Sequence, residues 1–291
     1  MRNDRVCYTQ TIDSDLRFHN SPPAAAVHTY GHNNRTISVE LASKGKGSTL
    51  WKCSVEFGAM HSLDNLSQLK ERHMIDFVKT NRNRIKRLPK RGEYDRDRIY
   101  RILDEALICH VGFVDQGQPF VIPINFARMG DAIMIHGAKA SRLLKHIAAG
   151  QPVCVEATIV DGLVLARSVF HHSVNYRSVV LFGTGRLIED KQEKLAALQA
   201  VAEHLIPGRW AEARLPNRKE LNATSVVSIK IEEASAKIRV GPPIDDEEDY
   251  RLPVWAGLLP LQESPLTPVR DELQSEEIPL PAYIAGYSRT S

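Results

Sequence analysis

Short apolar runs separated by tight turns fill the middle of the chain and constrain its fold more than any other feature. Three of them are LICHVGFV (107–114), PFVIPINFAR (119–128) and AIMIHGA (132–138), and the turns DQGQ and MGD between them contain glycine. This alternation predicts an antiparallel meander. Because Pro123 cannot donate a backbone hydrogen bond, its strand is expected at a sheet edge or at a bulge.

Further strands are expected in PVCVEATIVDGLVL, extended or bulged near Asp161-Gly162, in SVVLFGTGRLIED (178–190) and in SVVSIKIEEASAKIR (225–239). Four helices flank them: one after the N-cap Asp95, one from 141 to 150, one after Asp190, and one over 217–223. Because so few helices cannot link all these strands in parallel, the sequence predicts a mainly β fold with flanking helices, closed into an antiparallel barrel.

The composition excludes several classes of function. Apolar residues make up 43% of the chain and charged residues 25%, and the net charge of +3 is too small to indicate nucleic-acid binding. No apolar run approaches the roughly 18–20 residues that span a membrane. The four cysteines form no CxxC pair, which favours buried thiols in a reducing cytosol. We therefore expect a cytoplasmic protein without disulfides.

The two ends of the chain differ from its centre. Residues 1–79 are expected to be an N-terminal extension, poorly ordered or partly helical, with a short helix possible over 63–77. Residues 80–261 form the predicted domain, and 262–291 are expected to be a tail. The change of composition near Met74 also raises the hypothesis that Met74 is the natural start.

Three motifs between residues 119 and 183 suggest one site for flavin mononucleotide (FMN). Ser141 and Arg142 begin a helix that follows the small residues of HGAKA, where backbone N–H groups and charge-assisted bonds suit a phosphate. Arg177 precedes an apolar strand, where it suits a phosphate or a carboxylate. VIPINF can offer backbone groups to the polar edge of an isoalloxazine ring. Taken singly, these motifs also suit a plain helix start, a surface ion pair and a core strand.

The histidines give no pattern of a metal site. His110, His136, His171 and His172 lie in this half of the chain, but HxH and HExxH are absent, and neighbouring histidines on a strand point to opposite faces. The chain also lacks GxSxG, GxGxxG and GxxxxGK[ST]. We predict no metal ligands, and a cofactor held by neither a Rossmann nor a Walker fold.

Taken in order, the motifs resemble a known family. RLPKRGEYD, ILDEALICHVGFV, PFVIPINF, IHGAKASRLLKHI, DGLVLARSVFHHSVNYRSVVLFG, SAKIRVGPPIDDEEDY and PVWAGLLPL are similar to the pyridoxamine 5′-phosphate oxidase-related FMN-binding split-barrel flavoproteins, in particular the nitroimidazole-resistance-like branch. The resemblance covers about residues 80–261. It implies a six-stranded split β-barrel that forms a homodimer with FMN at the subunit interface.

The resemblance also implies the roles of individual residues. It gives phosphate contacts to the segment from His136 to Arg142 and to the Tyr-Arg-Ser match, ring contacts to the strand VIPIN, and a loose C-terminal match near cofactor or substrate to Trp255 and Arg239. His136 lies close to the cofactor in that branch and is the candidate proton donor. The cofactor-binding set is Val121, Ile122, Pro123, Ile124, Asn125, His136, Gly137, Ala138, Ser141, Arg142, Tyr176, Arg177, Ser178 and Trp255.

Two functions follow from this resemblance. The first is an FMN-dependent oxidoreductase acting on a small molecule that the sequence does not identify. The second is a flavin carrier or sensor without turnover. Haem and deazaflavin are alternative cofactors, because split-barrel relatives bind them.

Overall fold

The computed structural model describes strands within residues 28–57 and the continuous stretch 76–288, and the chain divides into two compact units, Met1–His73 and Met74–Ser291. In the first unit, β1 (His28–His32), β2 (Arg35–Lys44) and β3 (Ser48–Phe57) form an antiparallel sheet in the order β1-β2-β3. The sequence analysis predicted no strand here. Most of the helix predicted over 63–77 lies outside the described residues, and its last two residues, 76 and 77, are not helical.

The second unit contains two antiparallel sheets. One has seven strands in the order β4-β13-β10-β9-β5-β6, with β14 paired to β9, and the other has the order β11-β12-β8-β7. The strands are β4 (Gly92–Glu93), β5 (Ile108–Asp115), β6 (Gln118–Asn125), β7 (Ala127–Met129), β8 (Ala132–Ala138), β9 (Val153–Leu165), β10 (Ser173–Gly183), β11 (Gly185–Leu187), β12 (Thr224–Lys230), β13 (Glu233–Arg239) and β14 (Gly257–Pro260).

Within residues 76–288, six helices accompany the sheets. They are α1 (Arg96–Glu105), α2 (Arg142–Ala148), α3 (Lys191–Leu205), α4 (Arg209–Glu212), α5 (Arg218–Ala223) and α6 (Ala282–Ala285), and short 3-10 turns lie at Pro89–Arg91, Val169–His171 and Glu247–Arg251. The four helices predicted from the sequence are all present as α1, α2, α3 and α5. Asp95 caps α1 by accepting a hydrogen bond from Arg98 N at 2.7 Å, and Asn217 and Glu220 form the capping box of α5.

Three predicted strands are divided between the sheets. The run 178–190 breaks at Thr184, between β10 of the seven-stranded sheet and β11 of the other. The run 119–128 breaks at Phe126, which is fully buried, so that β6 belongs to the seven-stranded sheet and β7 to the other. The run 225–239 breaks in the same way between β12 and β13. Treating each run as one strand was therefore wrong, because the chain crosses from one sheet to the other at these corners. The bulge predicted near Asp161 is confirmed, since the register between β9 and β10 shifts there.

The two sheets enclose one hydrophobic core, as a mainly β split barrel requires. Val111, Val155 and Leu181 enter it from the seven-stranded sheet, and Ile135 and Ile229 enter it from the four-stranded sheet. Each of these side chains is 0% exposed, and burying one contributes about 1.5–3 kcal/mol. The predicted fold class is confirmed. The strand count exceeds the six expected because several short strands extend both sheets.

Three helices complete the packing around the barrel. α1 and α2 add their apolar faces to the same core, with Leu103 and Leu144 among the buried side chains. α3 packs on the outside of the four-stranded sheet, where Val201 meets Met134 and Val226 in a second, smaller cluster. Among the described residues, no helix has the length and apolar composition needed to cross a membrane.

Candidate functional site

Strand β6 carries the segment predicted to face a flavin ring, and it lies at one edge of the seven-stranded sheet. Pro123 therefore stands on an edge strand, as predicted, in register with His110 of β5. Phe120, Ile122 and Ile124 pack against the barrel core, whereas Val121 points outward and is 68% exposed. An edge strand leaves the outward-facing backbone groups of alternate residues without a partner strand. Those groups can bind a ring with a hydrogen-bonding edge.

The predicted phosphate-binding segment lies directly beside this strand. The guanidinium carbon of Arg142, the first residue of α2, lies 4.0 Å from the ring centroid of Phe120 on β6. The ring of Phe113 on β5 stacks with Phe120 at a centroid distance of 5.4 Å and so supports its position. The fold thus joins two predicted motifs that are about twenty residues apart in the sequence.

Ser141 is the N-cap of α2 and accepts a hydrogen bond from Leu144 N at 3.4 Å. Its hydroxyl proton stays available for a ligand. α2 has only seven residues, so a charge-assisted bond from Arg142 is a stronger basis for anion binding than the helix dipole. Gly137 lets α2 approach closely, because a Cβ there would lie 3.2 Å from Leu144 Cδ1.

The pairing of β8 with β12 places the side chain of His136. His136 pairs directly with Val226 of β12, and paired residues share a face of the sheet. Val226 and Met134 belong to the cluster under α3, so the His136 side chain lies on the α3 side of the four-stranded sheet. Its Nδ1 is buried and has no hydrogen-bond partner among the described residues. Burial lowers the pKa of His136, which favours the neutral imidazole.

Arg177 is held by two carboxylates at one end of the barrel. Its Nη2 lies 2.7 Å from Asp161 Oδ1 and 2.7 Å from Glu105 Oε1, and Nη1 also binds Glu105. Hydrogen bonds to Glu105 first, and then to Asp161, raise the pKa of Arg177 further above its ordinary value. In this structure Arg177 therefore forms ion pairs, which is the alternative to phosphate binding that the sequence left open. Arg177 and Glu105 line a cavity of about 680 Å³. Arg98, Ile102 and Ile238 line it as well.

The remaining predicted residues are spread over the sheet. Ser178 donates a hydrogen bond to Lys237 O at 3.3 Å, and Tyr176 is in register with Arg239. Because side chains alternate along β10, Tyr176 and Ser178 point to the opposite face from Arg177. Trp255 is 69% exposed and lies just before β14. The partners of Arg177 are Glu105 and Asp161, so this arginine makes its charge-assisted bonds away from the contact between Arg142 and Phe120.

Lys139 belongs to the predicted phosphate segment from His136 to Arg142, whereas Lys194 of α3 was not predicted as a site residue. Lys139 is exposed between β8 and α2, and it lies close enough to Lys194 of α3 to lower the pKa of Lys194, although burial contributes more. Lys194 Nζ donates to Leu221 O at 2.7 Å and also to Thr224 O. Lys139 stands inside the HGAKASR motif, so its charge was visible in the sequence. The position of Lys194 depends on packing between distant segments and was not.

Three comparisons place this geometry among known proteins. Residues 95–238 match the model of the pyridoxamine 5′-phosphate oxidase family. The flavocytochrome Anf3 from Azotobacter vinelandii is 41% identical, with a TM-score of 0.67, and the match covers 71% of this chain and 96% of that one. The chain belongs to the pyridoxamine 5′-phosphate oxidase-related split-barrel family.

Two further structures in this comparison are similar to the chain. The FAD and haem binding protein from Mycobacterium smegmatis is 37% identical, with a TM-score of 0.65, and the match covers 67% of this chain and 96% of that one. A candidate 5-nitroimidazole antibiotic resistance protein from Bacteroides thetaiotaomicron is 23% identical, with a TM-score of 0.42, over 50% of this chain and 86% of that one. A search of curated proteins gave no match. The family predicted from the sequence motifs is confirmed.

Proposed function

We propose that this protein is a flavin-dependent oxidoreductase that acts on a small molecule, works as a homodimer and holds its flavin between the subunits. The contact between Arg142 and Phe120 carries the proposal, because it sets the predicted phosphate segment against the predicted ring-binding strand. The flavocytochrome and the FAD and haem binding protein support it, since both are similar to this chain over nearly their whole length.

The residues present fit a flavin nucleotide. The open edge of β6 would hold the ring, and Arg142, Ser141 and Lys139 would hold a phosphate at the start of α2. The unpartnered Nδ1 of His136 is a buried polar atom that a bound group or water would satisfy. A flavin supplies hydride and electron transfer when it is bound, whereas the protein orients it and excludes water.

The role of His136 follows from its protonation state. Because the neutral imidazole is favoured, it would donate one N–H hydrogen bond rather than act as a cationic acid. Arg177 would stabilise the packing of α1 on the barrel through its ion pairs with Glu105 and Asp161. Arg142, and not Arg177, would bind the phosphate.

Extraction of the bound cofactor distinguishes FMN from FAD. The sequence motifs predict FMN, and the FAD and haem binding relative favours FAD, which contains the same ring and first phosphate. Protein purified without added flavin should show flavin absorbance, and mass spectrometry of the extract should give about one flavin per subunit. A colourless protein that also fails to bind FMN and FAD would contradict the proposal.

Haem is the second candidate, as a group bound in addition to the flavin. The observation that favours it is that one relative above 35% identity is named a flavocytochrome and the other a FAD and haem binding protein. A Soret band in the purified protein, with a pyridine haemochrome spectrum, would support haem. Reduction of the bound flavin by NAD(P)H, with and without an added acceptor, distinguishes an enzyme from a carrier or sensor.

A further inference from the structure

Residues 261–281 form an irregular segment that we call the C-terminal arm, with two turns between 272 and 278. Between β14 and α6 the described residues of the arm form no helix or strand. Three of its apolar side chains are almost fully exposed: Leu266 is 89% exposed, Val269 is 94% exposed and Leu273 is 96% exposed. Scattered apolar residues are common on surfaces, but three nearly fully exposed ones within eight residues form an uncovered apolar strip.

Both ends of the arm are fastened to the same unit. Before the arm, β14 pairs with β9, with Leu259 in register with Leu163. After the arm, Tyr283 accepts a hydrogen bond from Arg209 Nη1 at 3.0 Å, and Tyr287 donates one to Leu205 O at 2.9 Å. The arm is therefore attached to the unit at both ends, and its exposed apolar side chains are not part of the hydrophobic core.

The arm is also rich in proline. Pro265, Pro268, Pro279 and Pro281 lie within it, and each proline fixes one backbone angle. Proline-rich extended segments lose little conformational entropy when they bind. The arm is thus arranged in advance for contact with another surface.

The arm is acidic, and a basic segment of the same chain has the complementary charge. Its five carboxylates, on Glu263, Asp271, Glu272, Glu276 and Glu277, outnumber its single cation, Arg270. Residues 84–91, which we call the basic loop, contain five cations and no carboxylate: Arg84, Lys86, Arg87, Lys90 and Arg91. Within residues 76–288 these five cations and the five arm carboxylates form no ion pairs.

We propose that the C-terminal arm is the dimer contact and that the acidic, apolar arm of one subunit lies on the basic loop and apolar surface of a second copy. In a twofold dimer each subunit presents the same two patches, so both arm–loop contacts form at once. The exposed Val114 and Val160 on the seven-stranded sheet supply apolar surface for the arm's side chains. This inference rests on the homodimer of the proposed function and names the segment that forms it.

The test measures the dimer dissociation constant of the full chain by sedimentation equilibrium or mass photometry. Val269→Asp and Leu273→Asp should each raise it by about 100-fold, the scale of losing an interface hot spot. Both side chains are almost fully exposed, so the subunit itself should fold normally. Leu215→Asp is the matched control, because Leu215 is 53% exposed and lies outside the arm. It should leave the dissociation constant unchanged.

Reversing the charges on the arm and on the basic loop tests whether these two segments contact each other in the dimer. Glu276→Lys with Glu277→Lys, and separately Lys86→Glu with Arg87→Glu, should each weaken the dimer by about tenfold. Mixing the two variant proteins should restore dimers that contain one subunit of each kind. Arm variants with the wild-type dissociation constant, or mixed samples that do not recover, would overturn the inference and indicate another partner. A wild-type chain that is monomeric would instead contradict the homodimer of the proposed function.

Discussion

Asp161 reaches Arg177 at the bulge of β9, where its Oδ1 lies 2.7 Å from Arg177 Nη2. Val160 pairs with Tyr176 and Gly162 pairs with Asn175, so Asp161 is the extra residue between two paired ones. A bulge redirects the side chain of such a residue. Because Arg177 also binds Glu105 of α1, these ion pairs connect α1 to β9 and β10.

Replacing Arg177 should therefore affect stability more than flavin binding. Arg177→Met leaves the partly buried Glu105 and Asp161 without their counter-charge, and we expect a loss of about 2 kcal/mol in the free energy of unfolding. Urea denaturation measures this loss. Adding Glu105→Gln and Asp161→Asn should recover part of it. A flavin affinity that falls strongly while stability is unchanged would instead support the phosphate role.

Arg142→Ala should weaken flavin binding by about 1.5–3 kcal/mol, because a charge-assisted hydrogen bond to the phosphate is lost. Titration of the flavin-free protein with FMN or FAD, followed by fluorescence, measures the change. Lys145→Ala is the control, since Lys145 is an exposed cation on the same helix. Equal affinities for wild type and Arg142→Ala would refute the phosphate role.

His136 should make stability depend on pH. Its pKa is lowered in the folded state, so the unfolded chain binds more protons at pH values below about 6.5. The free energy of unfolding should thus be complete above that pH and fall as the pH decreases towards the folded pKa. Urea denaturation at pH 7.5 and at pH 5.5 measures the difference, and His136→Gln should reduce it. An identical pH dependence in that variant would rule out His136 as the cause.

Cys109 should resist alkylation in the folded protein. Its side chain is fully buried on β5, and burial raises the pKa of its thiol to about 12. Because the thiolate is the reactive form, iodoacetamide at pH 8 should leave Cys109 unmodified until urea is added. Peptide mass spectrometry gives the extent of modification. Rapid labelling without denaturant would show that β5 opens readily.

Gly183 at the end of β10 should tolerate no side chain. A Cβ at this position would lie 1.8 Å from Lys230 O, a clash with backbone that no rotamer relieves. Gly183→Ala should cost at least about 3 kcal/mol or prevent folding. Gly112→Ala is the matched control, because its nearest neighbour would be Cys154 O at 3.6 Å. Thermal unfolding of both variants compares them, and equal melting temperatures would be inconsistent with so close an approach of β10 to the Lys230 backbone.

The features that the sequence predicted are local ones. The edge position of Pro123 follows from its missing N–H, and the N-cap role of Asp95 follows from the helical spacing of the apolar residues after it. The partners of Arg177 could not be predicted, because Glu105 is separated from it by 72 positions in the chain. The face of His136 depended on its pairing with Val226, which only the register of β8 and β12 reveals. The crossings between sheets at Phe126 and between β12 and β13 likewise depend on the closure of the barrel.

The break at Phe126 has a consequence for which ligands the protein can accept. β6 and β7 are joined through this one buried residue, and β7 pairs with β8, which leads into α2. The proposed ring-binding edge and the proposed phosphate-binding corner thus lie on one continuous stretch of chain, from β6 through β7 and β8 to α2. The fold therefore fixes the distance between them, and a ligand of the proposed site has to match that distance with its ring and its first phosphate.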